Sequence, residues 1–345
     1  MEKVRVLELF AGIGACSKAL TNLGIGHEIV DAVEIDKYAV KSFNAIHNTN
    51  FEPQDITKWD KDIKVDLIIH GSPCQDFSIA GRQAGGDKDS GTRSSLMYET
   101  LRIVGKLKPK YVIWENVKNL LSQKHRHNFD AYLESMEQLD YKNYYQVLNA
   151  KNYGIPQNRE RVFTISIRAD LNKNFTFPEP IHLERRLKDM LEGNVDEKYY
   201  ISKAMMDYFM GVNQKPSKFP RKERFLANIN RKNQDIANSM TTNTGSRPTD
   251  NFIVASRGRG ENNEQHLEPR FDGVTNTLTS VQKDNYLAAQ NRIRKLTPKE
   301  CWRLMGFDDS DFDKASKVNS NTQLYKQAGN SIVVNVLEGI LKELL

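Results

Sequence analysis

Across its first 170 residues the chain alternates short apolar runs with stretches of helical periodicity, and this alternation restricts the fold more than any other feature. Apolar runs at 4–10, 29–34, 65–69, 111–114, 145–148 and 162–167 read as strands, and 17–23, 37–47, 94–107 and 129–139 as helices. Strands that alternate with helices form an open sheet covered on both faces, so the expected class is α/β with a mixed, mostly parallel sheet. Ligands bind such a sheet outside the carboxyl ends of its strands, so the residues that follow each strand are the ones to inspect for chemistry.

After about residue 169 the texture changes. Two prolines fall between 175 and 180, and from 214 to 294 the chain is rich in Asn, Thr, Lys, Arg and Gly with few long apolar runs. A solvated, loop-rich surface and a second domain built for contacts both fit that composition. Within it, Asn238-Ser239-Met240-Thr241-Thr242 ahead of Asp250-Asn251-Phe252-Ile253 is echoed by Asn276-Thr277-Leu278-Thr279-Ser280 ahead of Asp284-Asn285-Tyr286-Leu287. Regular structure then returns. Thr297-Pro298-Lys299-Glu300 has the form of a capping box with proline at the first helical position, in a helix that stops at Gly306. Residues 332–345 read as an amphipathic terminal helix, apolar at Val333, Val336, Leu337, Ile340 and Leu344. The expected division is residues 1–170, 171–305 and 306–345, the last segment returning to the first.

At 345 residues with 39% hydrophobic side chains, the chain has the material for a packed core. A formal charge of +6 leans toward a polyanionic partner without deciding the matter. The three cysteines, Cys16, Cys74 and Cys301, are far apart with no Cys-x-x-Cys pair, which argues against a disulfide framework or a cysteine zinc site and for a reducing compartment. The amino terminus enters a strand pattern directly, and no apolar run reaches the length of a membrane span, so an intracellular protein is expected.

Cys74 follows the apolar run 65–69 behind a proline, in Gly71-Ser72-Pro73-Cys74-Gln75-Asp76-Phe77-Ser78, where a nucleophile would sit; a small core residue in a turn fits the same pattern. Phe10-Ala11-Gly12-Ile13-Gly14 joins the first strand to the first helix, where glycines allow close backbone approach to a ligand and the helix offers unpaired N–H groups. Ser17 stands where a dinucleotide fingerprint needs a third glycine, and a plain strand-to-helix turn would look alike. Glu34 ends the second strand, placed to accept hydrogen bonds from ribose hydroxyls or simply to face solvent, and Asp55-Ile56 could hold an adenine by its amino group and one face. Glu115 comes directly after the fourth apolar run, as a buried acid near the thiol or as a helix cap. In Gln157-Asn158-Arg159-Glu160-Arg161 the alternate arginines put two guanidiniums on one face of an extended segment, suited to base or phosphate oxygens, or to a solvated strand end.

In this order, joined by Arg294 to Phe307 and by Gln327-Ala328-Gly329-Asn330-Ser331-Ile332-Val333, these segments resemble the cytosine-C5 DNA methyltransferase family. The resemblance covers nearly the whole chain except about 170–290. It implies a Rossmann-like S-adenosylmethionine-dependent methyltransferase domain with a smaller, irregular target-recognition domain. It further implies that Cys74 attacks C6 of a cytosine, that Glu115 contacts N3 in its protonated form, and that Arg161, with Arg159 beside it, binds the base. Cofactor contacts fall by resemblance on Phe10, Gly12, Gly14, Glu34, Ile35, Asp55, Ile56, Pro73, Asn330 and Ser331, with no metal. The target base must leave the duplex, and the glycine-rich stretch 79–86 is suited to closing over it. Gln75, Ser78, Arg82, Thr241, Thr242, Arg257, Arg259, Arg270, Thr279 and Ser280 are the candidates for DNA contact. The partner implied is duplex DNA met by a monomer in the cytoplasm of a prokaryotic or phage-infected cell, with room for a cognate restriction endonuclease. Competing readings are a transfer-RNA methyltransferase of the same fold, a relative that binds DNA without turnover, and a nicotinamide oxidoreductase. The last gives Pro73-Cys74-Gln75 no role.

Overall fold

The computed structural model describes residues 3–73, 96–200 and 294–345 in full and, between 252 and 293, the backbone of the strands alone. Its main sheet has six strands in the order β2-β1-β3-β4-β7-β5. These are β1 (Val4–Leu9), β2 (His27–Val33), β3 (Leu67–His70), β4 (Tyr111–Val117), β5 (Tyr141–Asn149) and β7 (Glu160–Arg168). The pairs β1/β2, β1/β3 and β3/β4 are parallel, whereas β7 runs antiparallel to both β4 and β5. The mostly parallel α/β sheet expected from the sequence is therefore present.

Period-2 alternation along the strands feeds two cores, one on each face. Val6, Leu67, Ile69, Ile113 and Phe163 turn to one side, where they pack with Ala19 and Leu20 of α1 (Ala15–Asn22) and with Val336, Leu337 and Ile340 of α8 (Val334–Leu344). Leu7, Leu9, Ile68, Val112 and Trp114 turn to the other, against Ile103 and Val104 of α3 (Met97–Leu107) and Phe129, Tyr132 and Met136 of α4 (Arg126–Gln138). Each large apolar side chain taken fully out of water contributes roughly 1.5–3 kcal/mol. The chain is thus closed by its own end: α8 completes a core begun by β1, and Asn22 Nδ2 donates to Glu338 Oε1 at 2.6 Å.

Several boundaries differ from the sequence expectation. The fourth strand continues past Trp114 to Val117, so Glu115 lies within β4 rather than after it, because antiparallel pairing with β7 extends that far. The fifth strand is longer than its apolar run because Lys142, Gln146 and their neighbours are on an edge strand, where pairing with β7 alone suffices. Two further helices lay hidden in polar sequence. In α6 (Asp309–Ser316) aspartate takes the place of the usual Glu or Gln in a capping box between Asp308 and Asp311. In α7 (Asn321–Asn330) a narrow buried stripe of Leu324, Tyr325, Gln327 and Ala328 is held by tertiary contacts. The box at Thr297 does form, with Thr297 Oγ1 accepting from Glu300 N, and starts α5 (Pro298–Arg303).

Beyond the main sheet, β8 (Phe252–Arg259), β9 (Glu264–Arg270), β11 (Asn285–Ala289) and β12 (Arg292–Lys295) form an antiparallel sheet in the order β12-β11-β8-β9. A short parallel pair joins β10 (Thr275–Asn276) to β6 (Gln157–Asn158), directly ahead of Arg159. Among the described residues no helix is long and apolar enough to cross a membrane, and no group of His, Cys, Asp and Glu could hold a metal ion.

Candidate active site

The site is built at the carboxyl ends of β1, β2, β3 and β4. After β1 the chain turns sharply, with Phe10 at φ 52°, Gly12 at φ 56° and Gly14 at φ 80°. The two glycines do different work. A Cβ on Gly12 would meet nothing nearer than the Phe10 carbonyl at 4.0 Å, so Gly12 faces open space. A Cβ on Gly14 would fall 2.1 Å from His47 Nε2 and 2.8 Å from Phe43, so Gly14 is needed where α2 (Lys37–His47) packs on the turn.

A cleft opens beside that turn, lined by Phe10, Gly12, Gly71, Asn330, Ser331 and Ile332 among others. Glu34 closes onto the turn: its Oε2 accepts from Gly12 N at 3.1 Å and its Oε1 from Asp36 N at 2.8 Å. Burial pushes the Glu34 carboxyl above the usual range while these N–H donors work in the other direction. Gln54 N donates to the Glu34 carbonyl at 2.8 Å, which brings the 54–55 loop to the same end of β2. Asp55 there is held low by the Thr57 backbone N–H and hydroxyl. Ile35 projects into solvent at 70% exposure, an open apolar face beside Glu34. Ile56 is buried, packed in the core with Trp59 and Val33.

Glu115 and Arg161 meet across β4 and β7, with Arg161 Nε 3.1 Å from Glu115 Oε1. Gly71 lies between that pair and the cleft: a Cβ there would sit 3.5 Å from Glu115 Oε2 and 3.6 Å from Ile332. Arg159, expected to share a face with Arg161, goes elsewhere. Its guanidinium donates to the carbonyls of Gly329 at 3.3 Å and Ser331 at 2.8 Å and so ties the strand to the segment that lines the cleft. The two arginines part because Arg159 lies in the break between β6 and β7, where strand alternation no longer holds. Asn330 ends α7 and is exposed at the cleft, Ser331 is buried beside it, and Pro73, two residues beyond the cleft-lining Gly71, is half-buried.

Cys74, Gln75, Ser78, Arg82, Thr241, Thr242, Thr279 and Ser280 lie outside the described residues. Arg257 and Arg259 are on β8, and the pairing of Ile253 with Arg270 puts all three arginines in register on one face of that sheet.

Three titratable cleft-lining residues were not among those expected from the sequence. Glu8, inside β1, is buried, accepts from Ser17 N at 3.0 Å and from the Ser17 hydroxyl, and is pushed up to about 7 by burial. This pairing explains the serine at the third-glycine position: it clamps the start of α1 to β1. The signal was available, since a lone carboxylate in a mostly apolar strand needs a partner. Cys16 is fully buried beside it, its thiol driven well up by burial and by Glu8. His70 ends β3 and is driven down to about 3 by burial, hence neutral.

The family model described as C-5 cytosine-specific DNA methylase matches residues 4–345. The chain is 34% identical to the orphan methyltransferase M.SPRI of Bacillus phage SPR, over all of this chain and 98% of that protein. It is 35% identical to the type II methyltransferase M.HhaI of Haemophilus parahaemolyticus, over 98% of this chain and 93% of that one. Its fold is similar to that of the methyltransferase EhMeth of Entamoeba histolytica, with a TM-score of 0.65 at 17% identity, covering 100% of this chain and 98% of the other. With the Gly12 turn, the paired Glu115 and Arg161, and the returning Asn330 segment in family order along its whole length, the chain belongs to the C-5 cytosine-specific DNA methylases.

Proposed function

We propose that this enzyme methylates C5 of a cytosine swung out of a specific duplex DNA sequence, through a temporary bond between the Cys74 sulfur and C6 of the base. The observation that carries this reading is the Arg161–Glu115 pair beside Gly71, which separates it from the cleft by one residue without a side chain. Cytosine C5 is a poor nucleophile. Addition of a thiolate at C6 pushes electron density onto C5, and a proton held by Glu115 at N3 neutralises the charge that develops on the ring. Arg161 keeps the Glu115 carboxyl in place and offers N–H donors to the base oxygen. Once C5 has taken up the methyl group, it gives up its proton to solvent, the electron pair released re-forms the C5–C6 double bond and expels the Cys74 sulfur as thiolate, and the N3 proton returns to Glu115.

S-adenosylmethionine, when bound, supplies an electrophilic methyl group on a sulfonium. The residues at and beside the cleft suit it: Gly12 leaves its backbone side open, Glu34 has lone pairs left for ribose hydroxyls, and Ile35 and Phe10 offer apolar surface to the adenine. Residues 171–305 are proposed to read the DNA, with Arg257, Arg259 and Arg270 on the common face of their sheet as contacts.

The test is the protein with duplex DNA carrying 5-fluorocytosine at the target and S-adenosylmethionine. Fluorine cannot leave C5 as a proton does, so a covalent protein–DNA complex should accumulate and should vanish in Cys74→Ala. Equal labelling of ordinary DNA by wild type and Cys74→Ala would overturn the reading, as would labelling of transfer RNA alone.

A further inference from the structure

Under the sheet edge that delivers residues 71–73 lies an aromatic cluster for which the mechanism above has no use. Trp114 is 1% exposed, and its ring centroid is 4.0 Å from that of Tyr132, 5.8 Å from Phe129 and 5.7 Å from His70. The His70 and Trp114 rings are nearly parallel, 6° apart, because the two residues are direct partners in the β3/β4 ladder. His70 Nε2 shares a hydrogen bond of 3.0 Å with the Tyr132 hydroxyl, which joins the end of β3 to α4. Every ring is therefore packed on at least two others or tied by a hydrogen bond.

A buried indole N–H must find an acceptor. That of Trp114 finds the Ser72 hydroxyl, at 3.0 Å, and Ser72 is itself 4% exposed. Asn116, two residues along β4, adds its side-chain amide at 3.4 Å from both the carbonyl and the hydroxyl of Ser72. The loop entering the nucleophile is thus held two residues upstream of Cys74 by side chains of β4, the strand that also carries Glu115. Ser72 is two residues from Cys74, so the anchor limits how far that residue can lie from it to about 7 Å of chain.

We propose that Trp114 is a positioning residue, its indole N–H on Ser72 setting the approach of the Cys74 sulfur relative to Glu115. This deepens the function proposed above and rests on Cys74 being the nucleophile. Trp114 touches neither base nor methyl donor; it acts through Ser72. Because strand β4 supplies Trp114, Asn116 and Glu115 together, the acid and the thiol are referred to one rigid element. Misplacement by about 1 Å at a reacting atom can cost on the order of 100-fold in rate.

The experiment is a double-mutant cycle of Ser72→Ala, Trp114→Phe and the pair, read as the rate of covalent adduct formation on 5-fluorocytosine DNA. The rate is taken per folded molecule at saturating DNA and S-adenosylmethionine, with S-adenosylmethionine affinity by titration and Tm alongside. Each single variant should lose about 10- to 100-fold in adduct rate with donor affinity within about twofold of wild type. The pair should be no slower than the slower single variant, since both remove one bond. A purely structural role would lower Tm and leave the rate per folded molecule unchanged. Adduct formation at the wild-type rate in Ser72→Ala, or losses that multiply in the pair, overturns the inference and leaves Cys74 standing. No adduct with wild type removes Cys74 as nucleophile, and the inference falls with it.

Discussion

Arg161 Nε stands 3.1 Å from Glu115 Oε1, and the strand register explains why these two residues meet. In the antiparallel pair, Arg161 is opposite Val117 and Glu115 is opposite Phe163, so the two are diagonal neighbours on one face. Both side chains are largely enclosed, at 17% and 11% exposure, where an ion pair is screened far less than at a surface. The geometry leaves Glu115 Oε1 without a well-aligned hydrogen bond, so this oxygen retains capacity for a further partner.

Arg161→Ala should therefore lower turnover by on the order of 100-fold or more, because it removes both the base contact and the group that holds Glu115. Donor affinity should hardly change, since Arg161 does not line the cleft. Single-turnover kinetics with an S-adenosylmethionine titration check both halves.

The two glycines of the first turn should separate folding from binding. Gly14→Ala places a Cβ 2.1 Å from His47 and should lower stability by about 1–3 kcal/mol through overpacking, in addition to the strain of its positive φ. Gly12→Ala meets open space and should cost less stability, but its methyl group would occupy the ligand side and weaken donor binding. Urea unfolding and donor titration on both variants provide the comparison.

Glu8 makes stability depend on pH in an unusual direction for a carboxylate. Its native value of about 7 exceeds the ordinary value of 4.5, so the folded state binds the proton more tightly. The contribution is complete below about pH 4.5 and is lost as pH rises through about 7. The full excursion corresponds to at most about 3 kcal/mol, and Glu8→Gln should abolish it. Urea midpoints near pH 5 and pH 8 should converge in Glu8→Gln and differ in wild type, once other titrating groups are subtracted as the common background.

Arg294 and Glu300 form a two-pronged pair, both bonds 2.8 Å, with exposures of 4% and 0%. Glu300 also accepts from Thr297 N at 2.7 Å and Glu192 N at 2.8 Å, so one carboxylate joins β12, the start of α5 and the 192 loop. Glu300→Gln should cost about 3–5 kcal/mol by leaving a buried guanidinium without its counter-charge, and Arg294→Met/Glu300→Gln should cost less. Tm and urea midpoints of the two variants decide it.

How much was legible in the sequence depends on how local the signal was. The apolar runs at 4–10, 65–69 and 162–167 and the Thr297 capping box identify themselves over a few residues, because strand alternation and cap chemistry are short-range. α6 and α7 were missed for the opposite reason, since their polar sequences become helical by packing against distant partners. Lys18, for instance, reaches from α1 to Asp311 of α6 at 2.9 Å.

The sequence alone determined the α/β class and, through the order of its motifs, the family, because both depend on residue types and spacings that survive without coordinates. Tertiary structure alone decided how those motifs are used. Strand reversal at β7 brings Arg161 to Glu115, the break before it sends Arg159 to the Ser331 carbonyl, and the close approach of α2 makes Gly14 a packing residue while Gly12 stays open. Contacts between residues tens or hundreds of positions apart depend on the paths of whole elements through space, and no local pattern in the chain encodes those distances.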